Sequence, residues 1–224
     1  MSINHSNTSL TATIISIEGN IGSGKSTLLE KLRLRLENIN VLFLQEPVDI
    51  WDTIRDASGQ TMLQKFYADQ NKYAFSFQIM AYISRLSLLK KAIRENPGAI
   101  IITERSLHTD KMVFAKMLFD SGLIEDVNYQ IYLKWFDEFT VECPLNKIIY
   151  VKAEPEVCFN RIKKRSRAGE SNIPLNYLQD CHKYHDNMVK ELEVARLLLD
   201  GNQDIFENRP VLDEWIQQIE DFIV

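Results

Sequence analysis

Gly19, Gly24, Lys25 and Ser26 fall at the spacing G-x-x-x-x-G-K-[ST] inside IEGNIGSGKST. Small residues at those places let successive backbone N–H groups curl round an anionic oxygen, the lysine reaches the outer phosphates, and the hydroxyl can hold Mg²⁺. The loop Gly19, Asn20, Ile21, Gly22, Ser23, Gly24, Lys25, Ser26 and Thr27 therefore reads as a cradle for ATP or another nucleoside triphosphate. Three further polar groups follow short apolar runs. Glu46, turned by Pro47, can take a proton from an attacking hydroxyl. Glu104 can bind Mg²⁺ together with Ser26, and the adjacent Arg105 can hold an oxygen of the acceptor or of the transferring group. In RIKKRSRAGES, Arg161 and Arg165 share a helix face and Arg167 starts a Gly/Ser break, the pattern of a lid (about 161–172) that folds over phosphates and excludes water. Lys163 and Lys164 read as a solvated face.

These groups need a scaffold that brings strand ends together. TIISIE (13–18), VLFLQ (41–45), AIIITE (99–104), NKIIYVKA (146–153) and ARLLLDG (195–201) are short apolar runs separated by helical periodicity. They predict an α/β fold, a five-stranded parallel sheet flanked by helices. In such sheets ligands sit beyond the carboxyl ends of the strands, where each polar group above is found. The longest predicted helix spans 71–95 and is stopped by NPG. No linker or repeat divides the chain, which predicts one domain over 13–224 behind a disordered tail, 1–12.

Composition narrows the setting. The chain has 224 residues and a formal charge of −5, with no sequence-wide pull toward nucleic acid or an anionic membrane. No segment is long and apolar enough to span a membrane. Cys143, Cys158 and Cys181 lack metal-site or disulfide spacing and read as packing residues in a reducing, cytoplasmic interior. His182 and His185 share a helix face without a third ligand in view, which argues against a metal site. Asn4 and Asn7 each begin an N-x-Ser pattern, but with no secretory signal.

Taken in order, IEGNIGSGKST, EPVDIW, FQIMAYISR, ERSLHTD, RIKKRSRAGESNIPLNYL and LLLDGNQDI resemble the deoxynucleoside kinases, in particular the deoxycytidine and deoxyguanosine kinase branch. The resemblance covers nearly the whole chain. It implies a phosphate-loop kinase with an arginine-rich lid, and transfer of the ATP γ-phosphate to a deoxynucleoside 5′-hydroxyl in nucleotide salvage. It further implies Mg²⁺ and a homodimer packed through helices. By this resemblance Glu46 is the base, Arg105 positions the 5′-hydroxyl and phosphate, and Glu104 lies on the Mg²⁺ side. Trp51 lines the acceptor pocket, Tyr67 and Glu170 hold the sugar 3′-hydroxyl, and Tyr177 lies near the sugar. Gln78 reads the base edge, with Phe77 and Phe114 along the base. Arg161, Arg165 and Arg167 are the lid arginines, and Asp204 belongs to the donor site. Ile205 follows it where animal members carry phenylalanine.

Ala81, Arg85 and Asp110 bear on which base is accepted. Arg85 lies seven residues beyond Gln78 on the same helix face and can meet Asp110 as an ion pair. In the resembling family that pair marks acceptance of deoxycytidine, deoxyguanosine or deoxyadenosine over thymidine. Two rival readings share the phosphate loop. A nucleoside monophosphate kinase of the thymidylate kinase kind places an arginine before the Glu-Pro pair, whereas Gln45 stands here. A nucleotide-hydrolysing switch needs a water-positioning residue that the sequence does not display.

Overall fold

The computed structural model describes residues 12–36, 40–165, 173–205 and 208–223. The expectations for Arg167 and Glu170, for lid residues 166–172 and for tail residues 1–11 concern residues outside those described. Ala12, assigned from sequence to the tail, is instead buried beside Ile14 in the core.

The five apolar runs form five strands: β1 (Thr13–Glu18), β2 (Val41–Leu44), β3 (Ile100–Glu104), β4 (Lys147–Lys152) and β5 (Ala195–Asp200). All pair in parallel, in the order β2-β3-β1-β4-β5. β1 leads toward the β2 edge and β3 leads across β1 to β4. Their carboxyl ends therefore flank the crevice where the connections diverge, the place where open α/β sheets bind ligands.

The helices are α1 (Lys25–Arg35), α2 (Val48–Trp51), α3 (Met62–Ala68), α4 (Gln70–Glu95), α5 (Leu107–Thr109), α6 (Lys116–Asp120), α7 (Asp126–Thr140), α8 (Pro155–Arg165), α9 (Leu175–Glu191) and α10 (Arg209–Ile223). Between α5 and α6 the turn widens into a π-helical segment, Asp110–Ala115. Alternation along β1 sets the two layers. Ile15 and Ile17 pack with Leu28, Leu29 and Leu32 of α1 and with Trp215, Ile216 and Ile219 of α10. Ile14 packs on the other side with Tyr82, Leu86 and Leu89 of α4 and with Tyr132 and Phe136 of α7. The three α1 leucines are fully buried, each contributing about 1.5–3 kcal/mol, and this anchors the helix whose first residue is Lys25. α4 starts at Gln70, one residue before the predicted boundary, because the Asp69 side chain accepts from the Lys72 N–H and caps it. Cys143, Cys158 and Cys181 are free and buried.

Candidate active site

The phosphate loop is shaped by backbone that other residues adopt poorly. Gly19 and Gly22 have φ of 144° and 81°. A Cβ on Gly19 would sit 2.4 Å from the Val151 carbonyl oxygen, and one on Gly22 2.7 Å from that of Cys158. Glycine thus lets the loop lie directly against β4 and α8. Asn20 fastens its base, donating from Nδ2 to the Leu178 carbonyl (2.8 Å) and accepting the Ile21 N–H (2.8 Å). Lys25 is buried and donates to the Asn20 carbonyl (2.7 Å). Burial first, and the Arg105 charge second, lower its pKa to about 7. Ser26 Oγ donates to Glu104 Oε1 (2.6 Å), so hydroxyl and carboxylate oxygen share one position at the foot of the loop. Among the described residues no cluster of three or more His, Cys, Asp or Glu side chains forms a metal site.

At the end of β2, Glu46 meets two guanidinium groups through one oxygen. Oε1 is 2.9 Å from Arg85 Nη2 and 3.3 Å from Arg105 Nε. Burial opposes the carboxylate charge, but Arg105, Arg85 and Lys25 outweigh it and hold the Glu46 pKa below its usual value. The carboxylate is ionised at neutral pH and keeps about a fifth of its side-chain surface exposed. Arg85 ties the floor together. Besides Glu46 it donates from Nε to Asp110 Oδ2 (2.9 Å) and from Nη1 to the Glu104 carbonyl (2.7 Å). Burial pushes Asp110 up to about 6, against the pull of Arg85. The π-helical segment puts both Asp110 and Phe114 on the cleft wall.

Arg105 has φ of 64°, the one non-glycine residue in the left-handed region among the described residues. A strained residue at a strand end persists only where its surroundings over-determine it. Here the side chain donates to the Gly19 carbonyl (2.9 Å), pairs with Glu46 and lies over the Phe114 ring (4.9 Å).

A cleft of about 430 Å³ runs between these groups. Ile21 to Thr27, Glu46, Trp51, Tyr67, Phe77, Gln78, Ala81, Arg85, Glu104, Arg105, Asp110, Phe114, Arg161, Arg165, Tyr177 and Asp204 all line it. Gly19 and Asn20 stand behind the lining and hold Arg105 and Lys25 through their carbonyls. Every described candidate site residue therefore meets at one place. Gln78 is buried and its Oε1 has no hydrogen-bond partner among the described residues, a cost borne where a ligand completes the pairing. Trp51 donates from Nε1 to Ser84 Oγ (2.8 Å) and meets Phe77 edge-on, with ring centroids 5.6 Å apart. Arg161 donates to the backbone carbonyls of Gly201 (2.6 Å) and Gln203 (3.0 Å).

Sequence reasoning missed several wall residues. Leu63 and Phe66 of α3, and Trp215 of α10, line the cleft without any motif. Phe66 stacks on Phe77 at 4.5 Å. His185, read from sequence only as a poor metal candidate, is fully buried with Nε2 3.2 Å from Arg105 Nη1. Nothing in its local spacing announces that contact.

Comparison with known proteins gives the family. The family model described as deoxynucleoside kinase matches residues 15–224. The chain is 35% identical to the probable deoxycytidine kinase of Fowlpox virus (strain NVSL), covering 93% of this chain and 87% of that protein. It is 31% identical to human deoxycytidine kinase, covering 91% and 89%. It is 30% identical to the mitochondrial deoxyguanosine kinase of Xenopus laevis, covering 93% and 89%.

Proposed function

The chain belongs to the deoxynucleoside kinase family, an ATP-dependent phosphotransferase by that membership, and we propose that it phosphorylates the 5′-hydroxyl of deoxycytidine, deoxyguanosine or deoxyadenosine in preference to thymidine, as a nucleotide-salvage enzyme. The observation that carries this reading is Glu46. It is an ionised carboxylate in the same cleft as the phosphate loop, held by Arg85 and Arg105 and with Gln45, not an arginine, before it. A carboxylate suits a neutral hydroxyl, whereas a phosphorylated acceptor calls for another cation.

In this mechanism the nucleoside lies between Phe77 and Phe114 with its base edge toward Gln78, whose unpartnered oxygen supports that pairing. The sugar lies toward Tyr67 and Tyr177, and Glu170 takes part in holding its 3′-hydroxyl by the family resemblance. Glu46 accepts the 5′-hydroxyl proton as that oxygen attacks the γ-phosphorus of ATP. Arg105 holds the two oxygens in line, and Lys25 follows the charge to the β,γ-bridge. Arg161, Arg165 and Arg167 serve the triphosphate and Asp204 the donor base side. Ser26 and Glu104 would hold Mg²⁺: both offer hard oxygens at one position, and a phosphate-bound Mg²⁺ needs few protein ligands. When bound, the ion supplies charge neutralisation on the phosphates.

The Arg85–Asp110 pair supports the base preference. Each of the three Arg85 nitrogens donates once, to Asp110, the Glu104 carbonyl and Glu46, and a thymine methyl against this pair would meet fixed charge it cannot satisfy. We also assign a homodimer. Val127, Ile131, Trp135 and Phe139 form an exposed i, i+4 apolar stripe on α7, with Trp135 stacked on Phe139 at 5.7 Å. The occupant that fits is the same stripe of a second copy. The buried free cysteines support a reducing, cytoplasmic setting.

The test is product formation from ATP, Mg²⁺ and each of the four deoxynucleosides, with thymidylate as a fifth acceptor. Activity on deoxycytidine or the purine deoxynucleosides with poor thymidine use is expected. Preferred use of thymidylate would move the assignment to a monophosphate kinase, and ADP release indifferent to every acceptor to a nucleotide switch.

A further inference from the structure

Arg105 is held by more than the groups that would touch substrate. His185 Nδ1 lies 2.7 Å from the Cys181 carbonyl oxygen, one turn back along α9. A carbonyl only accepts, so Nδ1 carries a proton and donates. On the other side, Nε2 lies 3.2 Å from Arg105 Nη1, and a guanidinium only donates. Nε2 therefore carries the lone pair. The two contacts leave one arrangement, the neutral Nδ1-protonated imidazole, with no choice of tautomer. Full burial, then the Arg105 charge, also push the His185 pKa well below its usual value, with Lys25 and His182 acting in the same direction.

We propose that His185 is the positioning residue of Arg105: its unprotonated Nε2 fixes the guanidinium between the phosphate loop and Glu46. Arg105 Nη1 gives one proton to the Gly19 carbonyl and one to His185, and Nε faces Glu46. Both Nη2 protons then have no hydrogen-bond partner among the described residues, and Arg105 lines the cleft. The imidazole thus selects which edge of the guanidinium is offered to the reacting oxygens. Phe114 completes the clamp, lying under the guanidinium (4.9 Å) and edge-on to His185 (6.1 Å). His185 is not in the cleft lining, so it acts through Arg105 and not on substrate. A neutral acceptor is the suitable type here: a carboxylate would compete with Glu46 for the same cation, and an apolar side chain would leave Nη1 held by the Gly19 carbonyl alone.

This inference rests on the reading of Arg105 as the group that aligns hydroxyl and phosphate, and the experiment separates the two. Steady-state kinetics of His185→Leu, His185→Gln, Arg105→Ala and the double change Arg105→Ala/His185→Leu are compared. The expected result is a fall in kcat of about 30-fold or more for His185→Leu, with KM for both substrates within about threefold. His185→Gln, whose amide oxygen can replace Nε2 as acceptor, should recover most of it. In the Arg105→Ala background the leucine change should cost nothing further, since its only route is already gone. Equal kcat for the leucine and glutamine variants, or additive losses in the double variant, would overturn the proposal. Near-native kcat for Arg105→Ala would remove the underlying reading of Arg105, and the proposal with it. Should His185→Leu fail to fold, nitrogen-15 NMR of the unmodified protein at pH 7 still decides. A proton on Nδ1 alone is required, and a proton on Nε2 overturns the assignment.

Discussion

The acceptor floor and the donor side of the cleft are built in opposite ways. On the floor, Arg85, Asp110 and Arg105 are buried and each is paired with a fixed charged partner, and Glu46 joins two of them. On the donor side, Arg165 and Lys164 stand exposed at the end of α8, and Arg161 leans on backbone carbonyls of the loop after β5. β5 itself is an edge strand with Leu198 largely exposed. Buried charge pairs lock a geometry before any ligand arrives, at a desolvation cost that only good pairing offsets. Arginine held by carbonyls at the surface can exchange those acceptors for phosphate oxygens at little cost. The floor is therefore suited to precision toward a small neutral acceptor, and the donor side to capture of a large anion.

The comparison breaks most severely at Glu46. Glu46→Gln keeps the shape, removes the proton acceptor and leaves Arg85 and Arg105 short of one negative charge. A loss of kcat of about 100-fold or more is expected, with nucleoside and ATP dissociation constants within a few-fold. Binding calorimetry beside turnover checks it, and near-normal turnover would remove Glu46 from the chemistry.

Next in size is the ion pair beneath it. Asp110→Ala removes a buried partner of Arg85 and should cost about 3 kcal/mol of stability, read by denaturant unfolding. Arg85→Met is the harsher single change, because it strands Asp110 and also takes from Glu46 one of its two guanidinium partners, leaving Arg105. Combined, Arg85→Met/Asp110→Ala should be more stable than Arg85→Met alone and should raise thymidine use relative to deoxycytidine. The contact with Glu46 means that total turnover falls in the double variant even as selectivity shifts. Unchanged relative thymidine use would detach the pair from base selection.

Much of this was legible in the chain. The β-branched runs TIISIE and AIIITE, bounded by loops, read as strands buried on both faces, and the polar groups after them, Lys25, Ser26, Glu104 and Arg105, line the cleft. The Arg85–Asp110 contact was also accessible, since helical spacing and a short turn bring the two within reach. What stayed hidden depends on third parties. The Arg85 bonds to Glu46 and to the Glu104 carbonyl, the left-handed Arg105 and its histidine, and the π-helical turn at Asp110–Ala115 arise where separate elements meet. His182 and His185 show the limit well. Three residues apart on α9, one faces the Ala153 carbonyl and Asp186 while the other is sealed against Arg105, and only packing tells them apart.

Lys25 stands where floor and donor side join, and its charge links the two through pH. Without phosphate its pKa lies at about 7, chiefly from burial. A triphosphate brings negative charge to the ammonium and raises that pKa. Above pH 7 the free protein therefore holds fewer protons than the complex, and binding takes protons up. ATP affinity should fall about fivefold between pH 7 and 8 and change little from this source below pH 6. Calorimetry in buffers of different ionisation enthalpy reads the uptake directly, and an absence of uptake at pH 8 would show that Lys25 is already charged in the free protein.

A comparably modest effect distinguishes two uses of Arg161. Its guanidinium gives hydrogen bonds to the Gly201 and Gln203 carbonyls at 2.6 and 3.0 Å, and it lies at 3.4 Å from the Ser23 carbonyl. It thereby fastens the phosphate loop to the segment that leads into Asp204 and Ile205, both on the cleft wall. If that fastening is its main work, Arg161→Ala loosens the donor pocket without touching the transferred phosphate. Charged donors to carbonyls contribute about 1.5–3 kcal/mol each when well buried and less at this partly exposed place. The expected outcome is a rise in KM for ATP of roughly three- to tenfold, with kcat and KM for the nucleoside nearly unchanged. Arg165→Ala, by contrast, should lower kcat more than either KM, because a guanidinium on the cleft lining in the last turn of α8 suits charge that develops only as the phosphate leaves. A fall in kcat for Arg161→Ala as large as that for Arg165→Ala would give both arginines the same role.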